Sequence, residues 1–397
     1  MKKIMKKLFV MASVCLLVCC SGTTLSPEVI PTEPPVDTDL PENPEGQHSK
    51  DWYLGRVAEV GITQKVPLIQ VAYRDRTRKI FLESANFDFV TAREDCTTIF
   101  QACSVTKTVF SYICMLLLDE GILELDKPLY EYTGGVVDER FKNAIPGNAE
   151  ASAQNEEWAK LITARIVLTH GTGLPNWAPG GGGAYGNAKL VMSQKPDEAG
   201  YTYSGEGICY LQRTLEHITG LTLDQLGQKY VFGPLGMKYS SFDWRDDYNY
   251  KEIAAYGYSA DMTKGSQSNT SIIKNSAASL RTNVVDFSLF LEALMEGRGL
   301  KPETYKEWLT PQRHLGTPDF YYGLGVRVAS NIEYGYGPSY THGGSNNSGT
   351  GGFRCHFWVF PQQQTYCVYF TNSVNGGGTT QTNIYNIFLS QFPGGNQ

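Results

Sequence analysis

No stretch of this 397-residue chain carries a C-x-x-C pair, an H-E-x-x-H helix or a Cys/His cluster at zinc-ligand spacing, so nothing in it reads as a metal site. No strand–G-x-x-x-x-G-K-[ST]–helix unit is present to cradle a phosphate, and no G-x-S-x-G elbow announces an α/β-hydrolase nucleophile. Internal repeats are missing. A basic footprint is missing too: the formal charge is −6, which gives no argument for nucleic acid as a partner. The sequence therefore asks for no cofactor and no metal. What is there is ordinary globular composition, 41% hydrophobic, long enough for one large domain or two modest ones. The 24 tyrosines are scattered rather than repeated.

The only long apolar run is at the start. MKKIMKKLFVMASVCLLVCCSG has a basic n-region, an apolar core and then small residues and cysteine, which is a secretory leader too short for a permanent membrane span. Its end, Leu17-Val18-Cys19-Cys20, resembles a bacterial lipobox, with Cys20 as the lipidated residue and Cys19 as the alternative. A plain cleaved signal with incidental cysteines is the other reading. Residues 21–50 are rich in Pro, Thr and Glu without periodicity, as expected of a flexible tether between a lipid anchor and a body. The expected organisation is thus a leader over 1–20, a tether over 21–50 and a folded domain over 51–397. The expected location is the bacterial envelope, periplasm-facing or at the surface, with the membrane as a partner through the anchor. Of the cysteines beyond the leader, Cys103, Cys114 and Cys209 fall in apolar patterns and read as buried thiols.

Within the body, 66–73 and 79–82 read as strands around a turn, and 322–328, 352–360 and 365–372 as further strands, the last two a hairpin. Helical periodicity marks 104–120, 162–168, 208–218, 221–230, 277–295 and 384–389. Residues 134–158 are polar and read as loop, and 179–186 as a mobile glycine-rich surface loop. Strands from both ends can pair in one antiparallel sheet, with a mostly helical lobe inserted over about 122–270.

The stretch FQACSVTKTVFSYICMLLLDE over 100–120 carries the chemistry. Val105, Val109, Tyr112, Ile113 and Leu116 define one buried helix face, and Ser104 and Lys107 stand three residues apart where a polar loop gives way to it. An amine one turn from a hydroxyl, both in the positive field of a helix start, is an arrangement for an activated serine nucleophile. A lone S-x-x-K is weak, since roughly one arises by chance in a chain this long. A second, Ser271 to Lys274, lacks an amphipathic helix behind it and reads as incidental.

Company in order separates the first from the second. Ser104-Val105-Thr106-Lys107, Tyr203-Ser204-Gly205 and His342-Gly343-Gly344 resemble the S-x-x-K, Y-x-N and K/H-x-G motifs of the serine β-lactamase and penicillin-binding protein superfamily, specifically its class C-like branch. LTHGTGLP, GPLGM, SAASLRTNVVDFSLFL and Tyr322-Gly323-Leu324-Gly325 agree, and the likeness covers roughly residue 51 to the end. The resemblance implies an α+β fold of the β-lactamase/transpeptidase type: an antiparallel sheet flanked by helices, plus a mostly helical lobe, with the site between lobes under the glycine-rich loop. It implies a serine hydrolase that forms an acyl-enzyme at Ser104. Lys107 would hold or accept the proton, and Tyr203 would serve as base if nearby cations or donors lowered its phenol. The Ser104 and Ser345 N–H groups would form the oxyanion hole, and Gly343 and Gly344 would let substrate approach.

Two positions depart from the pattern. Gly205 replaces the motif asparagine, so its amide contact to substrate is missing or supplied elsewhere. His342 replaces lysine, and a neutral imidazole would attract a substrate carboxylate less. The expected substrate is therefore a small molecule or peptide: an ester, an amide or a D-amino acid peptide, with β-lactams turned over poorly. The alternatives are a D-Ala-D-Ala carboxypeptidase or class C-type β-lactamase, and a non-catalytic lipoprotein that binds cell-wall peptides or glycans on a dead scaffold. Taken singly, the same residues have blander readings: Tyr203 as a half-buried aromatic, His342 as a loop histidine, His170 as the fastener of a turn and Cys103 as packing, while Arg354 reads either as an exposed strand residue or as one that reaches the site from the hairpin.

Overall fold

The computed structural model describes residues 48–198, 200–267, 274–348 and 351–392. The leader, Cys20, most of the tether and Ser271 lie outside them. An eight-stranded sheet runs through the molecule in the order β2-β1-β10-β9-β8-β7-β6-β5. Its members are β1 (Leu68–Arg74), β2 (Lys79–Ala85), β5 (Arg313–His314), β6 (Phe320–Tyr322), β7 (Arg327–Ala329), β8 (Ser339–Ser348), β9 (Gly351–Phe360) and β10 (Thr365–Thr371), and every neighbouring pair is antiparallel. The strands from the two chain ends meet where β1 pairs with β10, Val71 opposite Tyr369. A two-stranded ribbon, β3 (Phe100–Gln101) with β4 (Arg281–Thr282), stands apart.

Both faces of the sheet are buried, and strand alternation decides which side chain goes where. On β10, Tyr366, Val368 and Phe370 join the large core with the helices Thr106–Asp119 and Val284–Glu296. Cys367 and Tyr369 point the other way, into a smaller core with Tyr53, Val57 and Val60 of the helix Lys50–Gln64 and Ile384 and Phe388 of the helix Thr379–Leu389. Each large apolar side chain so buried contributes on the order of 1.5–3 kcal/mol. No described helix is long and apolar enough to cross a membrane.

Several helices differ from the sequence reading. Residues 134–158 are not all loop: Ala149–Ala159 is a helix capped by the Asn148 side chain on Ala151 N–H. It buries only Ser152, Asn155 and Ala159, so it shows no apolar stripe, and its Ala/Glu-rich propensity carries it instead. The helix expected from 277 starts at Val284, where Asn283 caps the Asp286 N–H. The strand expected over 322–328 is two strands around a turn at Gly325, whose φ is +85°. The helices Lys50–Gln64 and Pro302–Leu309 were not expected.

Candidate active site

Ser104 sits in a single 3-10 turn, Cys103–Val105, that runs directly into the helix Thr106–Asp119. Cys103, immediately before it, holds a left-handed φ of +49°. That conformation is costly for a residue with a Cβ, by about 1–3 kcal/mol, and it is maintained by the surroundings. Cys103 is fully buried beside Cys355 of β9, whose thiol bonds to the Ala102 carbonyl at 3.1 Å. A Cβ on Gly344 would fall 2.5 Å from Cys355 Sγ and 2.7 Å from Cys103 Cβ, so only glycine lets β8 close on the nucleophile turn. A Cβ on Gly343 would meet the His356 ring at 2.8 Å. Protein neighbours therefore demand both glycines, whatever substrate does.

One helical turn on, Lys107 is 1% exposed. Its ammonium donates to Ser104 Oγ at 3.3 Å and to the Ala277 carbonyl at 2.7 Å. It also lies 4.7 Å from the centroid of the Tyr203 ring. Tyr203 arrives from the loop before the helix Gly205–Thr219, whose N-cap is Ser204 through Gly207 N–H at 2.9 Å. Two distant segments thus place an alcohol, an amine and a phenol together.

Ser104 and Tyr203 face a cavity of about 350 Å³, lined also by His342, Gly343, Gly344 and Ser345, while Lys107 lies behind them. Arg327, Arg354 and His356 complete much of its wall. Arg354 therefore faces the cavity rather than open solvent. A larger groove of about 1080 Å³ runs beside the helices Lys50–Gln64 and Thr379–Leu389, but it contains none of the predicted site residues. The chemistry belongs to the smaller one.

Gly205 is not an open gap. Its N–H donates to Asn176 Oδ1 at 3.0 Å, and a Cβ there would meet the Asn176 carbonyl oxygen at 2.7 Å. The loop residue Asn176 occupies the place a side chain at 205 would take, and a sequence reading had no signal for it. The glycine-rich loop is also tied down. The fully buried Glu206 carboxylate accepts Ala178 N–H and Gly183 N–H, both at 2.9 Å. None of residues 179–186 lines the cavity, so the site does not lie under that loop as expected.

His342 is 1% exposed, and both ring nitrogens are occupied: Nε2 by the Tyr322 hydroxyl at 2.8 Å and Nδ1 by the Gly343 carbonyl at 2.7 Å. Burial holds its pKa well below the ordinary histidine value, and Arg327 and Lys107 push the same way. The ring is neutral. His170, expected only to fasten a turn, lies behind Tyr203 at 4.4 Å between ring centroids. All six described cysteines are buried and free, Cys103, Cys114 and Cys209 among them. Lys274 of the second S-x-x-K is exposed and paired to Asp243 at 2.6 Å.

A family model described as beta-lactamase matches residues 57–392. Solved structures share the fold. The octameric penicillin-binding protein homologue from Pyrococcus abyssi aligns at TM-score 0.65 and 18% identity, over 87% of this chain and 78% of that one. A D-stereospecific amidohydrolase from Streptomyces sp. aligns at 0.65 and 19%, over 85% and 99%. A class C beta-lactamase from Rhodobacter sphaeroides aligns at 0.65 and 16%, over 85% and 98%. The match across nearly the whole described body, with an antiparallel sheet and flanking helices beneath it, makes this chain a member of the β-lactamase family of serine hydrolases.

Proposed function

We propose that the protein hydrolyses an ester, an amide or a D-amino acid peptide through a covalent acyl-enzyme on Ser104. The observation that carries this reading is the buried Lys107 ammonium, shared between Ser104 Oγ at 3.3 Å and the face of Tyr203. Ser104 Oγ attacks the carbonyl carbon and its proton passes to the Tyr203 oxygen, for which the Lys107 ammonium beside it supplies the counter-charge. The tetrahedral oxyanion is met by the Ser104 and Ser345 N–H groups. Collapse expels the alcohol or amine, which takes the proton from Tyr203. Water then attacks the acyl carbon, Tyr203 accepts its proton, and Ser104 leaves with a proton restored.

A neutral His342 with both nitrogens engaged supports a substrate that does not depend on this residue for a charge. A second reading, a D-Ala-D-Ala carboxypeptidase or a β-lactamase, draws support from Arg327 and Arg354 in the same wall. Two guanidiniums could receive the carboxylate that such substrates carry. From the leader and Cys20 we also place the protein in the bacterial envelope on a lipid anchor. The deciding experiment is a panel of p-nitrophenyl esters, D-amino acid amides and nitrocefin against wild type and Ser104→Ala. Ester or amide turnover that vanishes in the variant supports the first reading. Nitrocefin turnover at the rate of a dedicated resistance enzyme replaces it with the second. Ligand binding without turnover, unchanged in Ser104→Ala, would leave only a binding protein.

A further inference from the structure

His170 grips the chain on both sides of Tyr203. Its carbonyl accepts the Thr202 N–H at 2.8 Å, and its Nδ1 accepts the Ser204 N–H at 3.1 Å. Its ring meanwhile packs on the phenol between them. From the other edge of that ring, Nε2 lies 3.2 Å from the Tyr322 hydroxyl, which lies 2.8 Å from His342 Nε2. His342 Nδ1 ends the series 2.7 Å from the Gly343 carbonyl on β8. All three side chains are essentially without solvent contact.

The two ends fix the direction of every bond between them. A backbone N–H only donates and a carbonyl only accepts. His170 Nδ1 must therefore be bare and Nε2 must carry the hydrogen, which it donates to Tyr322. Tyr322 then donates to His342 Nε2, and the remaining His342 hydrogen, on Nδ1, goes to Gly343. The two neutral histidines are locked as opposite tautomers. The charged groups that act on the imidazoles are Lys107 on the nucleophile helix, Arg327 on β7 and Arg313 on β5. All are cations, so the surroundings keep the rings uncharged. A buried hydrogen-bond network with every member satisfied holds its ends at one separation.

We propose that His170, Tyr322 and His342 form a one-way hydrogen-bonded strap that positions Tyr203 against β8, and so sets the rate of acyl transfer at Ser104. The proposal rests on the hydrolase reading above and adds three positioning residues that do not themselves meet the reacting atoms. The strap spans from the residue beside the phenol to the glycine pair that seats the nucleophile turn. Loss of its middle hydroxyl leaves one donor and one acceptor buried without partners, and lets the two walls of the cavity drift.

The test uses the full chain. Fluorophosphonate labelling of wild-type Ser104 comes first, and its absence defeats the hydrolase reading rather than the strap's geometry. In Tyr322→Phe, kcat for a p-nitrophenyl ester should fall about 10–100-fold, with KM changed less than about threefold, as for a mispositioned group. His170→Gln can accept from Ser204 and donate to Tyr322 through one amide, and should retain several-fold more activity than the similarly sized His170→Leu. In ¹⁵N-histidine spectra at neutral pH, His170 should carry its hydrogen on Nε2 and His342 on Nδ1. The strap is overturned by either histidine in the reverse tautomer, by Gln and Leu variants of equal activity, or by Tyr322→Phe that lowers Tm while kcat stays within about twofold.

Discussion

Two clusters of side chains meet where the His170 ring packs on Tyr203, and they are built on opposite rules. Ser104, Lys107 and Tyr203 surround a charge: the ammonium has a hydroxyl, a carbonyl and an aromatic face around it. His170, Tyr322 and His342 are arranged so that no member is charged and no hydrogen has a second place to go. Burial is common to both, since Lys107, His170, Tyr322 and His342 are each at most 1% exposed. The difference lies in what the backbone offers. The Ala277 carbonyl helps hold a cation, whereas the Ser204 N–H and the Gly343 carbonyl impose a fixed order on neutral rings. One side can pass a proton and the other holds the frame.

The contrast is broken most severely by removing the charge. Lys107→Met should lower kcat/KM about 10²–10⁴-fold, the range for disabling the proton transfer that its charge supports, with folding retained by circular dichroism. Retained activity would mean that Ser104 is activated without its neighbour. Next comes the seam between the clusters. Gly344→Val puts a side chain where Cys355 and Cys103 already stand. It should lower kcat about 10²-fold by displacing the nucleophile turn, and cost about 1–3 kcal/mol in urea denaturation. A smaller effect is expected at the loop anchor. Glu206→Leu strands the Ala178 and Gly183 N–H groups and should destabilise by about 1–3 kcal/mol, with only a few-fold change in kcat because the loop does not line the cavity.

The last prediction concerns pH. Burial holds His356 down to about 3, with Arg327 adding to the effect. An unfolded imidazole titrates near 6.5, so between about pH 6.5 and 3 the unfolded chain binds a proton that the folded chain refuses. The stability that neutral His356 supplies is complete above that window and is lost as pH falls through it. Glu83, raised to about 7, and Asp286, raised to about 6, both by burial, act in the opposite sense as pH rises from about 4.5. His356→Gln leaves those two in place. The difference in stability between wild type and variant should therefore change with pH below 6.5, by at most about 1.4 kcal/mol per pH unit, and be flat above it.

The parts of this molecule visible in its sequence are those with a period or a fixed spacing. Alternation in 365–371 places Val368 and Phe370 on one face and Cys367 and Tyr369 on the other, and the structure keeps that division. The apolar stripe behind Ser104 does the same for the nucleophile helix, which ends at Asp119 just before Gly121 at φ +70°. The three-residue step from Ser104 to Lys107 becomes a hydrogen bond because a helical turn makes it so. Contacts across long gaps in sequence left no such trace. Asn176 fills the place beside Gly205 from 29 residues away, and Tyr322 reaches His170 across 152. Helices without a stripe were equally silent: Ala149–Ala159 packs through Ser152 and Asn155, residues that read as surface. The glycines of β8 were noticed, but their reason, crowding by Cys103, Cys355 and His356, needed both β9 and the nucleophile turn in place.

The central claim is that Ser104 becomes covalently acylated. Peptide mapping by mass spectrometry after treatment with a fluorophosphonate or an activated ester tests it most directly. A single adduct is expected on the peptide containing Ser104, absent from Ser104→Ala and formed far more slowly in Lys107→Met. An adduct on any other residue, or equal labelling of wild type and Ser104→Ala, would contradict it.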